Sequence, residues 1–205
     1  MSAASGIGWG GGRGAAPDEH GALLVGVAGP ERHERAAARL AIRALLREEL
    51  GAWSGLAPDR IALHGGAGAP PYALLQRAEG VLHVGLSISH EGRFSVAAWR
   101  PHGAVGVDLT PIVALPDCLD LARDYLGPEA AAALAARPPA RRPAAFAQAW
   151  SAHEASLKCL GIGLVEWDAE IARRVAGCRR RPLAAPPGHA GCLAVPPAPD
   201  QRIWV

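Results

Sequence analysis

The chain has 205 residues, half of them apolar, and a formal net charge of +2. Such a chain can bury one sizeable core or two smaller ones, and its weak, dispersed basic charge argues against nucleic acid as a partner. Cys118, Cys159, Cys178 and Cys192 form no CxxC and no metal-like spacing, so a zinc site or disulfide framework is not expected and a reducing compartment fits. No stretch approaches the roughly 18 apolar residues of a membrane span, and the N-terminus lacks a signal-type apolar core. A cytoplasmic protein with no membrane partner is expected, with residues 1–20 as a flexible Gly-rich tail.

In chain order, "ALLVGVAG" (Ala22 to Gly29) reads as a buried strand. Pro30 is expected to open a helix with Leu40, Leu46 and Leu50 on its buried face and Gly51 just past its end. Arg35, Arg39, Arg43 and Arg47 recur every four residues along one side of it. Such a row is either a solvated face or a face for a phosphate-rich ligand. From Gly80 to Leu109, three β-rich runs separated by "HEGR" and "PHGA" predict a meander whose last strand ends on Asp108. Two helices follow, over "LPDCLDLARDYL" and "PEAAAALAA", then a strong helix from about Ala144 to Leu160, stopped by Gly161 and Gly163. The remainder, through "WDAEIARRV" and "HAGCLAV", reads as two or three strands.

Lys158 is the only lysine among 21 basic residues. It follows Glu154 by four positions on the strong helix, which permits a surface ion pair. "HEASL" is not a zinc-protease motif, because Leu157 stands where the second histidine would be.

Read together, the "GVD" strand ending at Asp108, the "SISH" strand about twenty residues before it, and "WSAHEASLK" followed by "GIGL" resemble the 4'-phosphopantetheinyl transferase superfamily. The nearest type is the single-chain, two-lobed enzyme serving carrier domains of peptide and polyketide synthases. The resemblance runs from about Ala22 to the C-terminus. It implies an α+β fold of two similar lobes related by a pseudo-twofold, residues 21–104 and 105–205, with coenzyme A bound between them in a monomer. It also implies Mg2+ on the pyrophosphate, transfer of the phosphopantetheine arm to a serine of an acyl or peptidyl carrier protein, and release of adenosine 3',5'-bisphosphate.

By the same resemblance, Asp108 and Glu154 are the metal ligands, with Glu154 or a water on the metal as general base, and Lys158 is the cation beside the phosphates. Ser89, His90 and Arg39 contact coenzyme A, and Arg35 could assist Arg39. Physical chemistry agrees: Mg2+ favours carboxylate, phosphate and water oxygens, and a compact ammonium suits a crowded phosphate site better than a planar guanidinium does. His90 also reads as a structural turn histidine, and the lone lysine as chance. Three positions depart from the family pattern: Thr110 where a second acid is common, His153 where lysine often precedes the helix Glu, and Ala69 in "GAP" where "GKP" is usual. These departures keep a second reading open, a non-catalytic descendant that binds coenzyme A or a carrier domain.

Overall fold

The computed structural model describes residues 6–7, 23–28, 35–65 and 69–197. The expected tail lies outside them except for β1 (Gly6–Ile7), which pairs antiparallel with β2 (Leu23–Ala28). The fold is α+β, as expected, and the chain divides into two compact units at Val105 and Gly106. Among the described residues no helix is long and apolar enough to cross a membrane.

In the first unit, α1 (Arg35–Ser54) packs on a sheet built from β1, β2, β3 (Ile61–His64), β4 (Tyr72–Arg77), β5 (Gly80–Glu91) and β6 (Phe94–Pro101). The order is β1-β2-β6-β5-β4-β3, and every neighbouring pair is antiparallel. Ala38, Ile42, Leu46 and Leu50 recur every four residues and are buried, so they form the apolar stripe of α1. Ile42, Leu46 and Leu50 pack against Leu75 of β4, Leu82, Val84 and Leu86 of β5, and Ala97 and Trp99 of β6. Each such side chain, fully buried, stabilises the fold by about 1.5–3 kcal/mol.

Two expectations for this helix are corrected. Leu40 is 71 % exposed, because its position falls between successive members of the buried stripe. The helix also runs through Gly51, since Leu50 and Trp53 hold its last turn against the core. It ends at Gly55, whose φ of +71° suits glycine and whose N–H donates to the Gly51 carbonyl at 2.8 Å.

The second unit has a three-stranded antiparallel sheet, β7-β9-β8, formed by β7 (Gly106–Pro111), β8 (Arg179–Pro182) and β9 (His189–Val195). The run containing Asp108 is therefore no third strand of a meander: β5 and β6 form a hairpin, and β7 pairs with β9. Asp108 is also interior to β7, which continues to Pro111 because its pairing with β9 extends to Pro111 and His189. After β7 come α2 (Cys118–Leu121), a π turn over Ala122–Leu126, α3 (Pro128–Ala135) and α4 (Arg142–Leu160). Gly161 ends α4 as expected, in a left-handed conformation.

The segment read as a strand in "WDAEIARRV" is a helix, α5 (Ala169–Ala176). Asp168 caps it by accepting from the Ile171 N–H at 2.7 Å. Its buried residues, Ile171 and Val175, are four apart and pack with Leu157, which is helical rather than strand periodicity. Each unit thus sets a long helix on an antiparallel sheet, but among the described residues the sheets have six strands and three.

Candidate active site

Helix α4 lies on β7 and β9, and Gly106 sets how closely. A Cβ at Gly106 would stand 1.8 Å from the Ala155 carbonyl oxygen and 2.6 Å from the Cys159 nitrogen, so only glycine admits the helix backbone this near the strand. Asp108 is two residues along β7 and so on the same face. This local packing brings it under the turn of α4 that carries Glu154 and Lys158.

Asp108 is 6 % exposed. Its Oδ1 accepts from Lys158 Nζ at 2.7 Å, and its Oδ2 accepts from Thr110 Oγ1 at 2.8 Å. Lys158 Nζ also donates to the Val107 carbonyl at 3.3 Å. The ammonium is thus drawn toward the strand and pairs with Asp108, not with Glu154 at i−4 as helix spacing alone allows. Thr110, which marked a missing acid in the sequence, is a hydroxyl donor that orients the Asp108 carboxylate.

Glu154 is half-buried, and burial, followed by the negative charge of Asp108, holds its carboxyl above the ordinary range; Lys158 offsets part of this. Two carboxylates close enough to repel, with a single ammonium bound to one of them, form a hard-oxygen donor set suited to Mg2+. A divalent cation there would relieve the repulsion that raises Glu154. Among the described residues no three His, Cys, Asp or Glu side chains gather as a metal cluster, so any ion would take its remaining ligands from substrate and water.

His153, the residue before Glu154, is 4 % exposed, and Nε2 finds no hydrogen-bond partner among the described residues. Burial and then the Arg180 guanidinium push its pKa below the usual value. It therefore supplies no surface cation at this position, and burial and Arg180 favour its neutral form.

The other candidates sit in the first unit. Ser89 is buried on β5, and His90 beside it is exposed. His90 Nδ1 and Ser95 Oγ share a hydrogen bond of 2.7 Å across the β5–β6 pair, where the two residues are register partners. That bond fixes the imidazole from behind. Ser95 was not read from the sequence; its signal was its place opposite His90 in a hairpin with the two-residue turn Gly92-Arg93. On α1, Arg39 is exposed, while Arg43 donates to the Gly65 carbonyl at 3.2 Å and so has a structural use. Ala69 is exposed just before β4.

Residues 104–179 match the family model described as the 4'-phosphopantetheinyl transferase superfamily. That segment holds Asp108, Thr110, Glu154 and Lys158, and it excludes Arg39, Ser89 and His90. A curated protein of Synechocystis sp., provisionally named a 4'-phosphopantetheinyl transferase, is 29 % identical over 127 residues. The aligned region covers 62 % of this chain and 48 % of that protein, so the chain spans about half the length of the relative it matches.

Proposed function

We propose that this protein transfers the 4'-phosphopantetheine group of coenzyme A to a serine of an apo acyl or peptidyl carrier protein, in a Mg2+-dependent reaction that releases adenosine 3',5'-bisphosphate. The observation that carries this reading is the joint placement of Asp108, Glu154 and Lys158 by one strand and one helix, within the segment that matches the family model. Asp108 and Glu154 would hold the ion. When bound, Mg2+ supplies positive charge to a pyrophosphate and orients it.

The chain's own residues divide the remaining work. Lys158, held by Asp108 at 2.7 Å, is a preorganised cation for charge developing on the departing phosphate. Glu154 beside the ion, or a water held there, would take the proton from the attacking serine hydroxyl. Thr110 keeps Asp108 in one orientation. Arg39, Ser89 and His90 would receive the nucleotide end of coenzyme A, with His90 held by Ser95.

The test is to incubate the protein with coenzyme A, Mg2+ and a panel of apo carrier proteins and to weigh the carriers. A carrier gaining the phosphopantetheine mass supports transfer. Unchanged carriers alongside coenzyme A binding in calorimetry would leave the non-catalytic binding module, which Thr110, providing no carboxylate, favours.

A further inference from the structure

Ser95 is a buried hydroxyl in an otherwise apolar run. It is 4 % exposed, and the residues that follow it on β6, Val96, Ala97, Ala98 and Trp99, are buried as well. A hydroxyl withdrawn from water costs free energy unless it is hydrogen-bonded. Its bond is the one to His90 Nδ1, at 2.7 Å, and among the described residues Ser95 Oγ makes no other. Because the two residues are register partners in the β5–β6 pair, their side chains leave the sheet on the same face, directly opposite each other. The imidazole is exposed while the hydroxyl that holds it is not.

We infer that Ser95 is a positioning residue that locks His90 in the tautomer with its proton on Nε2, the nitrogen that would meet a coenzyme A phosphate, a role that rests on the proposed function. A neutral imidazole has one N–H and one bare nitrogen, and the hydrogen bond made by one nitrogen decides the state of the other. The buried Ser95 hydroxyl has a proton to place, and His90 Nδ1 is its acceptor. Nδ1 is then the bare nitrogen, and the ring proton sits on Nε2. If the ring becomes charged, both nitrogens carry protons, so Nε2 is an N–H in either state. An anionic phosphate oxygen accepts from such a donor. Without the hydroxyl, the neutral ring is free to move its proton to Nδ1 and present a lone pair at Nε2, which repels the phosphate.

The test uses the full chain, labelled with 15N, at about pH 8.5, where a histidine of ordinary pKa near 6.5 is neutral. Long-range 15N–1H correlation NMR separates a protonated ring nitrogen from a bare one, and His90→Ala identifies the His90 signals by their loss. The wild type should show His90 as the Nε2–H tautomer, Ser95→Ala should lose that preference, and Ser95→Thr, which keeps the hydroxyl, should regain it. In calorimetry at the same pH, Ser95→Ala should bind coenzyme A about tenfold more weakly, as for loss of one hydrogen bond to a charged group. Its kcat at saturating coenzyme A should stay near wild type, and Ser95→Thr should recover the affinity. Circular dichroism confirms the fold of the variants, and the wild-type tautomer decides alone if Ser95→Ala fails to fold. A wild-type His90 in the Nδ1–H form, or a Ser95→Ala protein with the wild-type tautomer and affinity, overturns the lock. A wild type that shows the Nε2–H tautomer and binds no coenzyme A supports the lock and overturns the proposed function instead.

Discussion

On α4, Glu154 stands half-buried beside Asp108 with its carboxyl held above the usual range, whereas His153, one residue earlier, is 4 % exposed with its imidazole held below its usual pKa. The leading physical cause is the same for both, since burial penalises whichever form is charged. What differs is the neighbour. Glu154 faces a second carboxylate, and a divalent cation relieves that repulsion; His153 faces the Arg180 guanidinium and is best left neutral. One face of the helix therefore stores electrostatic strain that a ligand can discharge, and the other is packing. Substitution should cost transfer on the first face and spare it on the second.

The largest effect is expected at the carboxylates. Asp108→Asn and Glu154→Gln should each abolish carrier modification in the mass assay, a loss of about 10²-fold or more, as for removal of a principal electrostatic group. Their stabilities should part. Glu154→Gln removes one of two repelling charges, so the free protein should melt higher, by about 2–4 °C for a gain near 1 kcal/mol. Asp108→Asn takes the carboxylate from Lys158 and should melt lower. Mg2+ with coenzyme A should raise the melting temperature of the wild type and not of Glu154→Gln. A Glu154→Gln protein that is both active and less stable would remove the contrast.

Lys158→Arg comes next. The ammonium reaches Asp108 Oδ1 and the Val107 carbonyl together, at 2.7 and 3.3 Å. A planar guanidinium cannot reproduce that short, point-like approach beneath the helix. The transfer rate should fall by the equivalent of about 2–4 kcal/mol, read as kcat in single-carrier kinetics, with the fold retained.

Gly106→Ala tests the contact on which the charged face depends. Its Cβ would meet the helix backbone, not a movable side-chain end, so α4 must shift from β7. A stability loss of about 1–3 kcal/mol is expected in urea unfolding. Transfer should weaken too, because the same shift separates Lys158 from Asp108.

The sequence carried the charged face more clearly than the buried one, and the reason is chemical. Glu154 and Lys158 share a helix, and their spacing alone places them one turn apart. That Lys158 turns to Asp108 could not be read that way, because the choice depends on Gly106 letting two backbones touch across about fifty residues of chain. The same limit explains why the sequence alone joins β7 to the preceding meander: strand partners are set by tertiary pairing with β9, whereas local alternation only says that a strand exists. Short elements hid for a different reason. Helix α5 has just two buried apolar residues, Ile171 and Val175, and its clearest mark is the Asp168 cap. Thr110 was legible as a departure from a family pattern, and its use became visible with the hydroxyl on Asp108 Oδ2.

The smallest effect belongs to the buried face. His153 has a folded pKa below its unfolded value near 6.5, so in the acid range the unfolded chain binds more protons than the folded one. Its neutral burial is fully tolerated above that value, and stability is lost as pH falls through the unfolded pKa toward the folded one. Glu154 works in the opposite sense: its folded pKa is raised, so its charge costs stability at neutral pH, and that cost fades as pH falls through the raised value toward 4.5. The two slopes partly cancel in the wild type. A difference measurement between wild type and His153→Leu, by urea unfolding from pH 5 to 8, isolates the histidine. The leucine variant should flatten the acid-side loss, and at pH 8 it should equal or exceed wild-type stability, because it removes an Nε2 left without a hydrogen bond among the described residues. Its carrier-modification rate should stay near wild type at neutral pH. A variant that unfolds with the wild-type pH slope, or loses transfer while still folded, would show that His153 shares the work of the charged face.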